Sequence, residues 1–220
     1  MAEDLAASGS EAARTGNIKA TREDWIKASL DILIDQGVEQ VKILSVSDHL
    51  GVSRSSFYWY FKDRADLLDH LLAAWEEGNT GVIQRHAARP AETITAAVLN
   101  LFRCFIEPDG FNHRLDFAVR EWARRSDPVQ EAVARSDQTR LAAIAGLFGR
   151  YGYDAVEAVS RARILYYMQI GYYALDLSEP VETRLANVPG YLEGFTGKPA
   201  DRRELATFTA HIRQVFSEAT

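Results

Sequence analysis

The stretch Ile43-Leu44-Ser45-Val46-Ser47-Asp48-His49-Leu50-Gly51-Val52-Ser53-Arg54-Ser55-Ser56-Phe57-Tyr58-Trp59-Tyr60-Phe61 decides how the chain is read. Ile43, Val46 and Leu50 recur at helical spacing and predict a short helix with one apolar face. Gly51-Val52-Ser53 predicts a sharp turn, because glycine takes the left-handed conformation at no steric cost. A third short helix is expected from Arg54 to about Phe61, capped by Ser53, with Val52 and Phe57 fixing its entry angle. Two helices this short are marginal alone and need tertiary packing. Phe57 and Phe61, four apart, supply the inward face.

Arg54, Ser55, Ser56, Tyr58 and Trp59 are then left outside. Three consecutive aromatics, Tyr58-Trp59-Tyr60, cannot all face inward on one helix. Arginine matches the paired acceptors of a guanine edge. Small serines let a backbone approach a groove, and a tyrosine hydroxyl or a free helix amide meets phosphate. Between 52 and 64 there are three cations, Arg54, Lys62 and Arg64, against Asp63 alone. The overall net charge of −6 does not oppose this, because affinity for DNA needs only a local face.

Outward from this stretch the pattern stays helical, with no alternating strand signal. Thr21 and Asp24 form a capping box for a helix carrying Trp25, Ile26, Leu30 and Leu33, ended by Gly37. Asp63 caps a helix with Leu67, Leu68, Leu71, Leu72 and Trp75 inside. Longer helices follow over 94–105, 111–122, 129–148, 154–177 and 201–217, the last two opened by boxes at Asp154/Glu157 and Asp201/Glu204. Residues 178–200, rich in proline and glycine, are expected to be a long loop with at most one helical turn. The fold class expected is all-α, about nine helices. The division expected is a tail over 1–18, a helix-turn-helix domain over 19–79 and a C-terminal regulatory and dimerisation domain over 80–220.

Residues 19–79 resemble the DNA-binding domain of the TetR family of bacterial repressors. The resemblance rests on Gly51-Val52-Ser53, Tyr58-Trp59-Tyr60-Phe61, Lys62-Asp63-Arg64, Leu67-Leu68, Thr21-Arg22 and Ala28 with Gly37. Looser similarity continues through Trp122-Ala123-Arg124-Arg125, Asp127-Pro128-Val129, Asp137, Arg140, Gly152 and Glu157-Ala158. It implies a homodimer that binds an inverted repeat in double-stranded DNA, and a small-molecule effector whose binding releases the operator. A cytoplasmic location is expected separately, from the single cysteine and the lack of a signal-type or membrane-spanning apolar run. By position it implies DNA contacts at Arg54, Ser55, Ser56, Tyr58, Trp59, Lys62 and Arg64, with Thr21 near a phosphate. Three positions depart from the family pattern: Ser55 stands for Gly, Arg64 for Lys and Lys42 for Thr, the last removing a cap before the second helix.

The C-terminal half is aromatic. Phe102, Phe105, Phe117, Trp122 and Tyr166 are candidates for an apolar or aromatic ligand, since pockets use such side chains. Tyr167, Ile170, Gly171, Phe208, Ile212 and Phe216 are candidates for the dimer interface, because a helix apolar on two faces must bury both. The five histidines show no metal-ligand spacing, and His113 with Asp116 reads as a surface pair. Neither a nucleophile elbow nor a phosphate loop is present, so no enzyme activity and no cofactor are expected. The single Cys104, in an apolar run, reads as a small buried hydrophobe. No apolar stretch reaches membrane-span length. The competing reading is a helical sensor or interaction protein of the same fold that has lost specific DNA binding.

Overall fold

A computed structural model describes residues 20–177 and 179–218; the expected N-terminal tail lies outside them. Every regular element among these residues is helical. The N-terminal group comprises α1 (Arg22–Gln36), α2 (Ile43–Leu50), a 3-10 turn (Arg54–Trp59) and α3 (Arg64–Trp75). The body comprises α4 (Gly81–Ala88), α5 (Ile94–Cys104), α6 (His113–Ala123), α7 (Asp127–Arg150), α8 (Ala155–Ala174), α9 (Val181–Thr196) and α10 (Arg202–Glu218). None of these helices is long and apolar enough to cross a membrane.

Local chemistry accounts for most boundaries. The Thr21 hydroxyl accepts from the Asp24 amide at 3.1 Å while the Asp24 carboxylate accepts from the Thr21 amide at 2.8 Å, completing the expected box. Gly51 ends α2 in the left-handed region at φ 66°. Asp63 caps α3 by accepting from the Asp66 amide at 2.9 Å. The boxes expected at α8 and α10 are only half formed. Asp154 and Asp201 cap as expected, but Glu157 turns to Arg161 and Glu204 reaches across to Thr93 and Thr95.

One expectation is corrected here. Residues 181–196 form a helix and not a loop. Leu185, Val188, Leu192 and Phe195 repeat at three- and four-residue spacing and are all buried, so packing outweighs the cost of Pro189 inside the helix. Gly197, at φ 66°, then ends it. Between α3 and α4 lies a segment for which the sequence pattern predicts no element. Residues Glu76–Thr80 form a π turn that continues one helical path from α3 into α4. Such turns recur at functional sites, because they re-aim side chains within a continuous helix.

Two apolar cores result. One joins Trp25, Phe57, Phe61, Leu67, Leu71 and Trp75 to Leu115 and Val119 of α6 and Val129 and Val133 of α7. The other lies among α4, α5, α7, α8, α9 and α10 around Phe102, Phe148, Leu165 and Phe208. The N-terminal helices thus stand on α6 and the start of α7. Cys104 is fully buried in the second core, where burial pushes its thiol up to about 12.

Candidate nucleic-acid interface

The segment after Gly51 is wound more tightly than an α-helix. The Ser56 amide donates to Ser53 O at 3.1 Å and the Tyr60 amide to Phe57 O at 3.0 Å, both three residues back. In a 3-10 turn side chains three apart align, so the segment has three rows. Arg54, Phe57 and Tyr60 share the row that turns inward, with Arg54 at its open end and exposed. Ser55 with Tyr58, and Ser56 with Trp59, make two outward rows. Tyr58 and Trp59 are 61% and 66% exposed although large and aromatic.

The inward row is firmly held. Phe57 is fully buried, edge-on to Trp25 at 5.4 Å and beside Phe61 at 5.2 Å. The Tyr60 hydroxyl donates to Ala20 O at 3.0 Å. Exposed aromatics on a rigid base form a preorganised contact surface, whose ordering cost is already met by folding.

The structure places the expected contact residues unevenly. Arg54, Ser55, Tyr58 and Trp59 lie on one exposed turn, with Lys62 exposed just beyond it. Thr21 is exposed at the start of α1, with its hydroxyl engaged in the capping box. Ser56 is half-buried and its hydroxyl donates to Ser53 O at 2.7 Å. Ser53 makes no side-chain cap, contrary to expectation, because its hydroxyl pairs with that of Ser55 at 2.9 Å. Arg64 points inward: Nε donates to Val41 O and Nη2 to Val38 O, each at 2.6 Å. It therefore ties the start of α3 to the segment that enters α2. Lys42 starts α2 without a side-chain cap, as its departure from the family pattern implied. Leu44, which the sequence reading left aside, is 51% exposed on α2. Its position in an apolar pattern concealed it.

A buried polar cluster joins this domain to the body. Asp116 of α6, fully buried, accepts at Oδ1 from the Trp75 indole at 2.9 Å and pairs with Arg140 at 2.9 Å. Its Oδ2 accepts from Arg120 at 2.8 Å. Arg140 also donates to Thr80 in the π turn at 2.9 Å and to the Tyr166 hydroxyl at 3.1 Å, with the rings of Trp75 and Phe111 close by. Tyr166 donates to Asp137 at 2.7 Å, and Arg120 grips Asp137 with two bonds at 2.6 and 2.9 Å. Burial would raise the Asp137 carboxyl, but the bonds from Arg120 and Tyr166 hold it below the ordinary value. Asn79 of the π turn exchanges bonds with the Asn112 backbone. Asp116 is therefore not a surface partner of His113; His113 instead stacks on Tyr173 at 4.5 Å.

The cluster also corrects the expected ligand set. Tyr166 is 2% exposed with its hydroxyl committed to the cluster, and Trp122 packs against the N-terminal core. Phe117, on the same helix as Trp122, is half-buried and does not face the cleft described next. Phe102 and Phe105 do line an apolar cleft, walled by α5, α8, α9 and α10.

The expected interface is corrected as well. Phe208 and Ile212 are 1% exposed and face the core, Phe216 lines the cleft, and Ile170 packs on the core. Only Tyr167 and Gly171 remain outward, on a different stripe. Val156, Val159, Ile164 and Tyr167 of α8 are each about half exposed or more.

Residues 26–71 match the family described as bacterial regulatory proteins, tetR family. The chain is 38% identical over 56 residues to the tetracycline repressor protein class C of Escherichia coli, covering 26% of each chain. It is 32% identical over 66 residues to the HTH-type transcriptional regulator AcrR of Shigella flexneri, covering 29% of each. The matched segment thus spans under a third of these two relatives' length. The fold is similar to a TetR-family transcriptional regulator from Rhodococcus sp., with TM-score 0.59 and 16% identity over 80% of this chain and 98% of that one. It is similar also to one from Mesorhizobium loti, with TM-score 0.59 and 15% identity over 86% of this chain and 95% of that one.

Proposed function

We propose that the chain, whose residues 26–71 match the tetR family of bacterial regulatory proteins, is a ligand-responsive transcriptional regulator, acting as a homodimer on an inverted-repeat operator. The observation that carries this reading is the turn Arg54–Trp59: large aromatics and an arginine held exposed on a buried Phe57 base. Such a surface has little purpose for a chain alone in water, since exposed apolar patches mark interaction sites. Arg54 reads base edges from the start of the turn, Ser55 and Tyr58 meet phosphates, and Arg64 positions the motif from within.

One motif offers too few contacts for tight specific binding, whereas a two-fold dimer reads two half-sites about one helical turn apart. The outward stripe of α8 supports such a dimer. A Cβ placed on Gly171 of α8, or on Gly190 and Gly194 of α9, would meet nothing within 4 Å. Their smallness is thus not required within one chain, and it suits close approach by another.

The Trp75–Asp116–Arg140–Tyr166 cluster supplies the coupling. It ties α3, the π turn and α6, α7 and α8 together, so a shift of α8 is felt where the DNA-binding domain is anchored. A ligand acts only if it favours the conformation that binds DNA poorly.

The test is selection of bound sequences from random duplex DNA by the purified full chain, followed by mobility shift. Enrichment of an inverted repeat is expected. Binding with no sequence preference, at all salt concentrations, would favour the sensor reading.

A further inference from the structure

The cleft among α5, α8, α9 and α10 has an apolar interior and a polar rim. Its buried side is Phe102, Leu185, Val188 and Ile212, with Met168 half-buried beside them. Gln169, 8% exposed, is the polar side chain on that side. Glu179 and Arg184, both half-buried, stand at the more open rim, each in contact with Tyr172. The Tyr172 hydroxyl donates to Glu179 at 3.1 Å, and the Arg184 guanidinium lies 5.3 Å from its ring.

We propose that this cleft binds an uncharged, largely hydrocarbon molecule carrying one hydrogen-bonding end group. An anion drawn by Arg184 is repelled by Glu179, and a cation meets the reverse, so the rim favours neither sign. Past the rim a charge would lose its water among Phe102, Met168 and Leu185 with no partner. An alcohol, ketone or amide is treated differently. The Gln169 side chain already donates to the Tyr173 hydroxyl, yet an amide carries a second N–H and a carbonyl, so it can still satisfy either kind of end group. Met168, flexible and polarisable, adapts to ligand shape.

The position of the cleft gives binding a route outward. Met168 and Gln169 are the next two residues of α8 after Tyr166, which belongs to the buried cluster, and Tyr167, which belongs to the outward stripe. Prising α9 from α8 therefore acts on both. That consequence rests on the regulator reading above; the occupancy of the cleft does not.

The experiment uses the full chain and three probes with the same tail: n-octanol, octanoate and n-octylammonium, all kept below micelle-forming concentrations. Titration calorimetry and thermal melting read binding directly, without DNA. The expected result is saturable n-octanol binding about tenfold tighter than either ion, with a raised melting temperature. Gln169→Leu should weaken n-octanol about tenfold, the worth of one buried hydrogen bond. Val181→Trp, at the half-exposed rim, should weaken all three probes while the melting temperature without ligand stays near that of the parent. An ion that binds tighter than n-octanol overturns the proposal. So does n-octanol binding that neither substitution alters, or no saturable binding at all. Mobility shift is run separately. Binding of n-octanol that leaves a DNA complex unchanged overturns the regulatory reading and leaves the cleft assignment standing.

Discussion

The Trp75 indole N–H donates to the Asp116 carboxylate across 2.9 Å, with both side chains fully buried. Trp75 is the last residue of α3 and Asp116 lies on α6, so this bond closes the N-terminal helical domain onto the body. Trp75→Phe keeps most of the apolar volume and removes the donor. It should cost about 1–3 kcal/mol, as for a hydrogen bond to a charged group. Asp116→Asn should cost more, about 3–5 kcal/mol, because Arg120 and Arg140 then share a buried site with one counter-charge fewer. Urea unfolding followed by circular dichroism compares them. Equal costs, or a neutral Asp116→Asn, would show that the cluster is not held together by its charge.

Arg54 and Tyr58 should fail differently. Arg54→Ala is expected to cost about 1–3 kcal/mol at one base pair and to relax preference there. Tyr58→Phe should weaken binding to all sequences alike, because a phosphate carries no sequence information. Mobility shifts on the operator and on single-base variants read both. A changed base preference in Tyr58→Phe with none in Arg54→Ala would reverse the roles.

Arg64 separates positioning from contact. Its Nε and Nη2 hold the carbonyls of Val41 and Val38, and a lysine ammonium does not reproduce that fork. Arg64→Lys should lower both stability and operator affinity while the dependence of affinity on salt keeps its slope. A residue that itself neutralised a phosphate would, once replaced by alanine, reduce that slope by about one. Arg64→Ala should leave it unchanged; a slope reduced by one would make Arg64 a direct contact.

What could be read from sequence was what depends on near neighbours. The Thr21–Asp24 box, the Gly51 turn and the Asp63 cap are each closed within a few residues, so local chemistry decides them. What could not be read depends on a partner far along the chain. That the Tyr166 hydroxyl is spent on Asp137 is invisible in its own helix, so its ring looked available to a ligand. The apolar residues of α10 looked like an interface until α5 and α9 were seen to cover Phe208 and Ile212. In α9, proline and glycine masked a regular apolar repeat. Their turn propensity is a local signal, and burial of Leu185, Val188 and Leu192 is not.

His86 gives the fold a pH dependence. Its Nδ1 lies 2.8 Å from Asn100 O, to which it donates. Burial holds its pKa below 6.5, helped by Arg85 and Arg89 and opposed by the Asn100 carbonyl and Glu107. The folded chain therefore takes up fewer protons than the unfolded one. The stability this contributes is complete above pH 6.5 and is lost as pH falls through the lowered value. His113 is shifted the same way, by burial and then Arg114, against Asp176. Melting temperature should decline as the buffer goes from pH 7 to pH 5, and His86→Gln should flatten part of that decline. An unchanged slope in His86→Gln would place the titrating group elsewhere.

The dimer should be held by the outward stripe of α8 and not by α10. Val156, Val159, Ile164 and Tyr167 are 78%, 49%, 57% and 49% exposed, and they follow one another at three- to five-residue intervals along a single helix side. Left in water, such a stripe forgoes about 25 cal/mol for each Å² of apolar surface that a partner would cover. Two-fold pairing places the same stripe on itself, with Gly171, Gly190 and Gly194 allowing the helices to close together. A charge on this stripe would meet its own copy across the axis, adding repulsion to lost burial. Ile164→Arg with Tyr167→Glu would instead offer each other opposite charges and make a poor test, so both positions should be changed to arginine. That double variant should sediment as a monomer at micromolar concentration and lose operator binding, while its circular dichroism stays helical because neither side chain belongs to a core. Gln214→Arg, on the exposed side of α10, should leave the dimer intact. A double variant that stays dimeric, or a parent chain that is monomeric, would remove α8 from the interface.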